Sequence, residues 1–136
     1  MHRLVLGRHR KALARLGRLF AILESLQRLA LGGNVNATIR DRYYASASAT
    51  PAAVFPMLVR NATHHVANLR KDGKGGLAYR LEERMAALLE GIGSEFPRSL
   101  AMEDQGRFAI GYYRERFAKR PGAAEAATEN NSVEES

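Results

Sequence analysis

Apolar residues return every three or four positions along most of this chain, and that spacing is what most limits the folds open to it. Leu16, Leu19, Leu23, Leu26 and Ala30 recur at helical intervals, with Phe20 and Ile22 widening the face. They predict one amphipathic helix over about 11–31, stopped by Gly32 and Gly33. Leu77, Leu81, Met85, Leu88 and Ile92 draw a second clean stripe, ended by Gly91, Gly93 and Pro97. Between them, Asn34 to Asn36 can cap a helix carrying Ile39, Tyr43 and Ala47, which fades in the small residues Ala45 to Thr50. Thr50-Pro51 reads as an N-cap followed by proline at the first helical position. Leu58, Ala62, His65, Val66 and Leu69 continue that helix to about Lys71, with Pro56 removing one hydrogen bond inside it.

A last helix begins at Ser99 or Ala101. Glu103 and Asp104 sit favourably in its first turn, and Arg114, Arg116, Lys119 and Arg120 at its C-terminal end. Phe108 and Tyr112 face one way; Ile110, Tyr113 and Phe117 face another. A helix apolar on two sides is either central or lies at a subunit contact. No alternating strand pattern is present, so the expected fold is all-α: a compact bundle of about five helices over residues 1–120. Residues 121–136 are Ala, Glu, Asn and Ser with only Val133 to bury, and read as a disordered acidic tail.

Charge separates the same two regions. All 21 Lys and Arg lie in 1–120 with ten acidic residues, a balance of +11, while 121–136 carries four Glu and no basic residue. A basic body points to a polyanionic partner, nucleic acid being the commonest; a basic but idle surface is the plain alternative. With no Cys, the chain holds no disulfide, no Cys-ligated metal and no thiol nucleophile. No run approaches 18 apolar residues, and the first residues lack the apolar core of a signal peptide, so a cytoplasmic protein without membrane partner is expected.

The residues offer little for catalysis. Gly73-Lys74-Gly75-Gly76 has neither the spacing nor the preceding strand of a phosphate loop. His64 and His65 point about 100° apart on a helix, so they do not readily share a metal: His65 faces the core edge, His64 the polar side. Glu82-Glu83 and Glu103-Asp104 read as solvated helix faces. We therefore expect no enzyme, no metal, no cofactor and no small-molecule substrate.

Binding rows are better defined. Arg8, Lys11, Arg15 and Arg18 fall on one helical stripe about 15 Å long. Arg60, His64 and Lys71 share a face of the third helix, with Lys74 in the loop after it. Arg40 and Arg42 stand beside Tyr43 and Tyr44. Cations that follow a backbone and rings that stack on bases are the means of holding single strands. Tyr43 lies on the apolar stripe and reads as core; Tyr44 reads equally either way. Nothing indicates base-specific reading, so binding should be backbone-driven and salt-sensitive.

Several segments, in order, carry a resemblance. They are Leu16-Gly17-Arg18-Leu19-Phe20-Ala21-Ile22-Leu23-Glu24, Asn36-Ala37-Thr38-Ile39-Arg40-Asp41-Arg42-Tyr43-Tyr44, and Ala47-Ser48-Ala49-Thr50-Pro51-Ala52-Ala53-Val54-Phe55-Pro56. The His64-His65 pair and Gln105-Gly106-Arg107-Phe108-Ala109-Ile110-Gly111-Tyr112-Tyr113 complete the set. Together they resemble the C-terminal region of the large subunit of type I-C CRISPR surveillance complexes (Cascade). That region is also made as a separate small subunit by translation starting inside the large-subunit gene, and Met1 followed by this region alone looks like that product. Ala101 stands where relatives would carry a Ser or Thr cap.

The resemblance implies a non-catalytic helical subunit in antiviral defence. It implies more than one copy per complex, lying beside the guide-RNA backbone subunits and the large subunit. Its role there is to accommodate target DNA in the R-loop, the displaced-strand structure formed as guide RNA pairs with target. A scaffold that docks on guide-bearing subunits with little DNA contact, or a free-standing basic DNA-binding protein, are the competing expectations.

Overall fold

The protein is described by a computed structural model that covers residues 2–32 and 38–118, with side chains from Arg10 onward. Five helices make up the described residues, with no strand among them: α1 (His2–Leu31), α2 (Ile39–Ala49), α3 (Pro51–Lys71), α4 (Gly75–Ile92) and α5 (Met102–Arg116). The all-α bundle expected from the periodicity is the fold. The predicted tail 121–136, and with it the boundary at residue 120, lie outside the described residues.

The bundle is organised around α1, which packs against each of the other four helices. Every residue from Leu19 to Leu26 is buried, including Glu24 and Ser25. The sequence predicts an amphipathic stripe there; the structure instead encloses that stretch on all sides. The run Leu19-Phe20-Ala21-Ile22-Leu23 contains no charge, so it can accept neighbours on every face. The helix also begins at His2, well before the predicted start at residue 11. It stops where Gly32 adopts a left-handed φ of 60°, donating its N–H to the carbonyl of Arg28 (2.9 Å).

Phe20 is the hub of the core. Its ring centroid lies 5.6 Å from that of Tyr44, 5.7 Å from Tyr112, 6.0 Å from Phe108 and 6.3 Å from Phe55. These mostly edge-on arrangements suit the aromatic quadrupole. Tyr43 and Tyr44 are both half-buried against this core.

Closest of all is the crossing of α1 and α5. A methyl group on Gly17 would overlap the carbonyl oxygen of Phe108 and lie 2.7 Å from the Tyr112 nitrogen; one on Gly111 would overlap the carbonyl oxygen of Ala14. Backbone meets backbone at both points, and only glycine allows it. One face of α5 therefore lies on α1, while its other face carries the exposed Ile110, Tyr113 and Phe117. The central helix is α1, not the two-sided α5.

Helix ends follow local chemistry. Thr38, rather than Asn34 to Asn36, caps α2 among the described residues. The Thr38 side chain accepts from the Asp41 N–H and the Asp41 carboxylate accepts from the Thr38 N–H, both at 3.1 Å. The Thr38 backbone N–H first, and the Thr38 side chain second, hold the Asp41 carboxyl below its ordinary pKa. Thr50 precedes α3 as predicted, but its hydroxyl donates to the Ser46 carbonyl (3.0 Å) and makes no side-chain cap. α4 takes in Gly75 and Gly76, which the sequence assigns to a loop. Its connector to α5 is tied to the α2–α3 corner: the Ala52 N–H donates to Pro97, the Leu100 N–H donates to Ala49, and Phe96 stacks on Phe55 at 5.2 Å.

One buried polar network joins the first and last helices. The Tyr112 hydroxyl donates to Glu24 (2.7 Å) and accepts from Arg116 Nη1 (2.6 Å), which also lies 3.3 Å from Glu24. Burial first, and the Glu24 carboxylate second, push the Tyr112 pKa from 10.0 up to about 12. A parallel pair lies nearby in sequence: the buried Glu115 carboxylate accepts from Arg84 Nη2 (2.6 Å) and Nε (3.1 Å).

Gly17→Ala and Gly111→Ala should each lower the urea midpoint, by an amount equivalent to about 1–3 kcal/mol or more, because a backbone clash outweighs the gain in helix propensity. Gly106→Ala, on the same helix as Gly111 but facing open space, should instead raise stability by up to about 1 kcal/mol. For Tyr112, the unfolded phenol ionises near 10.0 and the folded one near 12. Its contribution is therefore complete below pH 10 and disappears as pH rises to 12. Subtracting the Tyr112→Phe urea midpoints from wild type across that range should give a difference that shrinks with pH.

Candidate nucleic-acid interface

Arginine that is tied to the protein's own groups is less available to a partner than arginine facing water. The structure sorts the predicted binding residues on that basis. On α1, Arg8 lies in the helix but its side chain is outside the described residues. Lys11 is exposed. Arg15 is half-buried, and its Nη1 donates to the carbonyl of Gly91 at the C-terminal turn of α4 (3.0 Å). Its side chain fills the space above Gly91 so fully that a methyl there would lie 2.6 Å from Nε. Arg18 is half-buried as well. The α1 row thus serves partly as a packing seam against α4, whose last carbonyls attract a cation.

The outer face of α3 is different. Arg60, His64, Lys71 and the following Lys74 are all exposed. None of them forms an ion pair among the described residues. They lie opposite the buried Leu58, Ala62, Val66 and Leu69, so burying one face of α3 forces the cations outward. The row from Arg60 to Lys71 rises about 16 Å along the helix axis. His64 is exposed and His65 half-buried, as the periodicity predicts. The Nδ1 atom of His65 is enclosed without a hydrogen-bond partner in the described structure. Burial, and secondarily His64, lower the His65 pKa.

A third group forms at the corner of α2 and α5. Arg40 Nη2 donates to the Tyr113 hydroxyl (2.6 Å), and its guanidinium lies 5.6 Å from the centroids of Tyr112 and Tyr113 and 5.8 Å from that of Tyr44. From the other side, the Arg116 guanidinium lies 5.9 Å from the Tyr112 ring and 5.8 Å from Phe117. Both cations are thereby fixed against aromatic faces. Arg42 and Arg114 stand exposed in the same two helices, with no ion pair among the described residues.

Arg40 does meet Tyr44, its neighbour in sequence, but on the core side. Tyr44 is spent on the core, where burial raises its pKa. The outward rings are Tyr113, 40% exposed, and Phe117, 72% exposed, parallel to each other at 6.1 Å. The spacing of Ile110, Tyr113 and Phe117 separates these rings from the buried Phe108 and Tyr112, but adjacency in sequence does not connect them to Arg40.

Among the described residues, no three His, Asp or Glu side chains are gathered as a metal would need. Glu82 accepts from Arg70 (2.8 Å), and Glu103 and Asp104 both accept from Arg107 (3.0 and 2.8 Å). No described helix is long and apolar enough to cross a membrane.

A search of curated proteins finds no match to the chain. A family model described as CRISPR-associated protein (Cas_Csd1) matches residues 9–119. That span takes in every described helix almost whole, together with the α3 row and the arginine corner of α2 and α5. The chain belongs to the Cas_Csd1 family of CRISPR-associated proteins.

Proposed function

We propose that this chain is the non-catalytic small subunit of a type I-C Cascade, and that it steadies the target-DNA R-loop through sequence-independent contacts to the nucleic-acid backbone. The observation that carries the reading is the exposed cation row on α3, Arg60, His64, Lys71 and Lys74, on a member of a CRISPR-associated family. The ordered motifs shared with the C-terminal region of the type I-C large subunit support the small-subunit assignment. Exchange of a DNA duplex for a guide–target heteroduplex is nearly balanced, so modest protein contacts to the strands can tip it. In this reading the chain works in the cytoplasm beside the guide-bearing subunits, the large subunit and further copies of itself.

A scaffold role is the second reading. Met102, Ile110, Tyr113 and Phe117 are exposed on α5, Met102 at 88%. They fall at helical spacing and form an apolar stripe that a neighbouring subunit could cover. Crosslinking in the assembled complex separates the two readings: adducts from the α3 row to DNA support the first, and adducts to protein alone support the second.

Charge reversal tests the electrostatics directly. Arg60→Glu with Lys71→Glu and Lys74→Glu should weaken target-DNA binding by the complex while leaving the thermal midpoint of the subunit nearly unchanged, since all three are exposed. On single strands the log–log salt slope should fall by about 0.7 for each phosphate no longer neutralised. Equal affinity at low and moderate salt would remove the row from the interface. Arg15→Glu is expected to act otherwise. It leaves the Gly91 carbonyl and the α1–α4 seam without their donor, so it should lower stability by about 1–3 kcal/mol before any effect on binding is read.

A further inference from the structure

Tyr113 and the C-cap residue Phe117 place two aromatic rings in water at the end of α5. Positions four apart on a helix lie one above the other, and the two planes are parallel to within 6° at a centroid distance of 6.1 Å. The core does not require them, since Phe108 and Tyr112 already supply the buried face of α5. The first ring is also held in place. Arg40 Nη2 donates to the Tyr113 hydroxyl (2.6 Å), and Tyr112 meets Tyr113 edge-on at 5.0 Å. A flat ring fixed in advance loses little freedom when something lies on it.

The charge beside the rings narrows what that is. The guanidinium of Arg40 lies 5.6 Å from the Tyr113 centroid and that of Arg116 lies 5.8 Å from Phe117. Arg40 spends Nη2 on Tyr113, and Arg116 spends Nη1 on Glu24 and Tyr112. Arg40 Nη1 and Arg116 Nη2 form no hydrogen bond among the described residues. The carboxylates in the same stretches of chain are engaged: Asp41 by the α2 cap and Glu115 by Arg84. Parallel rings with spare guanidinium donors at their edges suit a ligand that is flat in one part and anionic in another. An unpaired nucleotide is such a ligand: its base stacks and its phosphate accepts from arginine. The apolar side chains of a protein neighbour would cover the rings but leave both spare donors without an acceptor.

We propose that Tyr113 and Phe117 are a stacking platform for an unpaired base of a single strand, with Arg40 and Arg116 meeting its phosphates. The platform rests on the nucleic-acid reading above and adds to the α3 row a contact of another kind, made to bases and weakly dependent on salt.

Two strands of equal length and charge separate stacking from charge: oligo(dT), and an abasic strand with the same sugar–phosphate backbone. The full chain should bind oligo(dT) roughly five- to tenfold tighter than the abasic strand, a ratio that persists while salt lowers both affinities. Phe117→Ala should reduce the ratio, and Tyr113→Ala with Phe117→Ala should bring it to about one. Phe117→Ala leaves the Arg40–Tyr113 bond intact, so it reads the platform even where the double variant loses stability. The charge reversals on α3 should do the opposite, lowering both affinities and keeping the ratio. Because the chain has no Trp, Phe117→Trp puts a single indole on the platform; oligo(dT) should quench its emission and the abasic strand should not.

Equal affinity of the unaltered chain for the two strands, or an unchanged ratio in Phe117→Ala, would overturn the platform, while salt-dependent binding of both strands would still support the α3 row. Binding of neither strand would overturn both. Failure of Phe117→Ala to enter the assembled complex, with its ratio unchanged, would assign the rings to a protein neighbour instead.

Discussion

Everything in this bundle depends on two helices being allowed to touch backbone to backbone. At Gly17 and Gly111 the α1 and α5 chains approach until no side chain fits between them. That distance brings Phe108 and Tyr112 onto Phe20 and delivers the Tyr112 hydroxyl to Glu24. A wider crossing would leave a carboxylate buried without its hydrogen bonds, which costs far more than the weakened van der Waals attraction. Close packing and polar satisfaction are thus one constraint seen from two sides.

The same constraint shapes the surface. Glu24 fixes Arg116, and Arg116 with Arg40 brackets the aromatic cluster. Arg84 is held by Glu115, Arg107 by Glu103 and Asp104, and Arg70 by Glu82. Five of the ten acids in residues 1–120, Glu24, Glu82, Glu103, Asp104 and Glu115, are engaged by arginine in this way. Cations left exposed without an ion pair among the described residues, Arg60, Lys71 and Lys74 among them, are the ones open to a partner. Net charge alone does not reveal this: a basic total says nothing about which arginines are already occupied.

Much of this was readable from spacing. The ends of α3, the stripe of α4 and the opposed exposures of His64 and His65 follow from period and caps, because these helices each bury a single face. α1 defeats the method for a physical reason. From Leu19 to Leu26 the neighbours leave α1 no outer face, so polar Glu24 and Ser25 are interior where a one-sided stripe would turn them to water. The partners that make Glu24 tolerable lie 88 and 92 residues away, beyond any local pattern. The binding residues are obscured in the same way. Arg15 belongs to a row by spacing, yet its destination is a carbonyl 76 residues distant. The exposed ring that meets Arg40 is Tyr113, 73 residues along.

The α1–α5 crossing also has a consequence for how the protein is made. The first helix is the scaffold and the last helix is its closest neighbour, so the core cannot close until nearly the whole body has been synthesised. Until then the mostly apolar segment from Leu19 to Leu26 has only part of its cover, and waits for α5 to leave the ribosome. Long-range closure of this kind slows folding relative to a bundle assembled from adjacent hairpins. A nascent chain in that state exposes the kind of apolar surface that chaperones cover, and its window of exposure ends when Gly111 settles over Ala14.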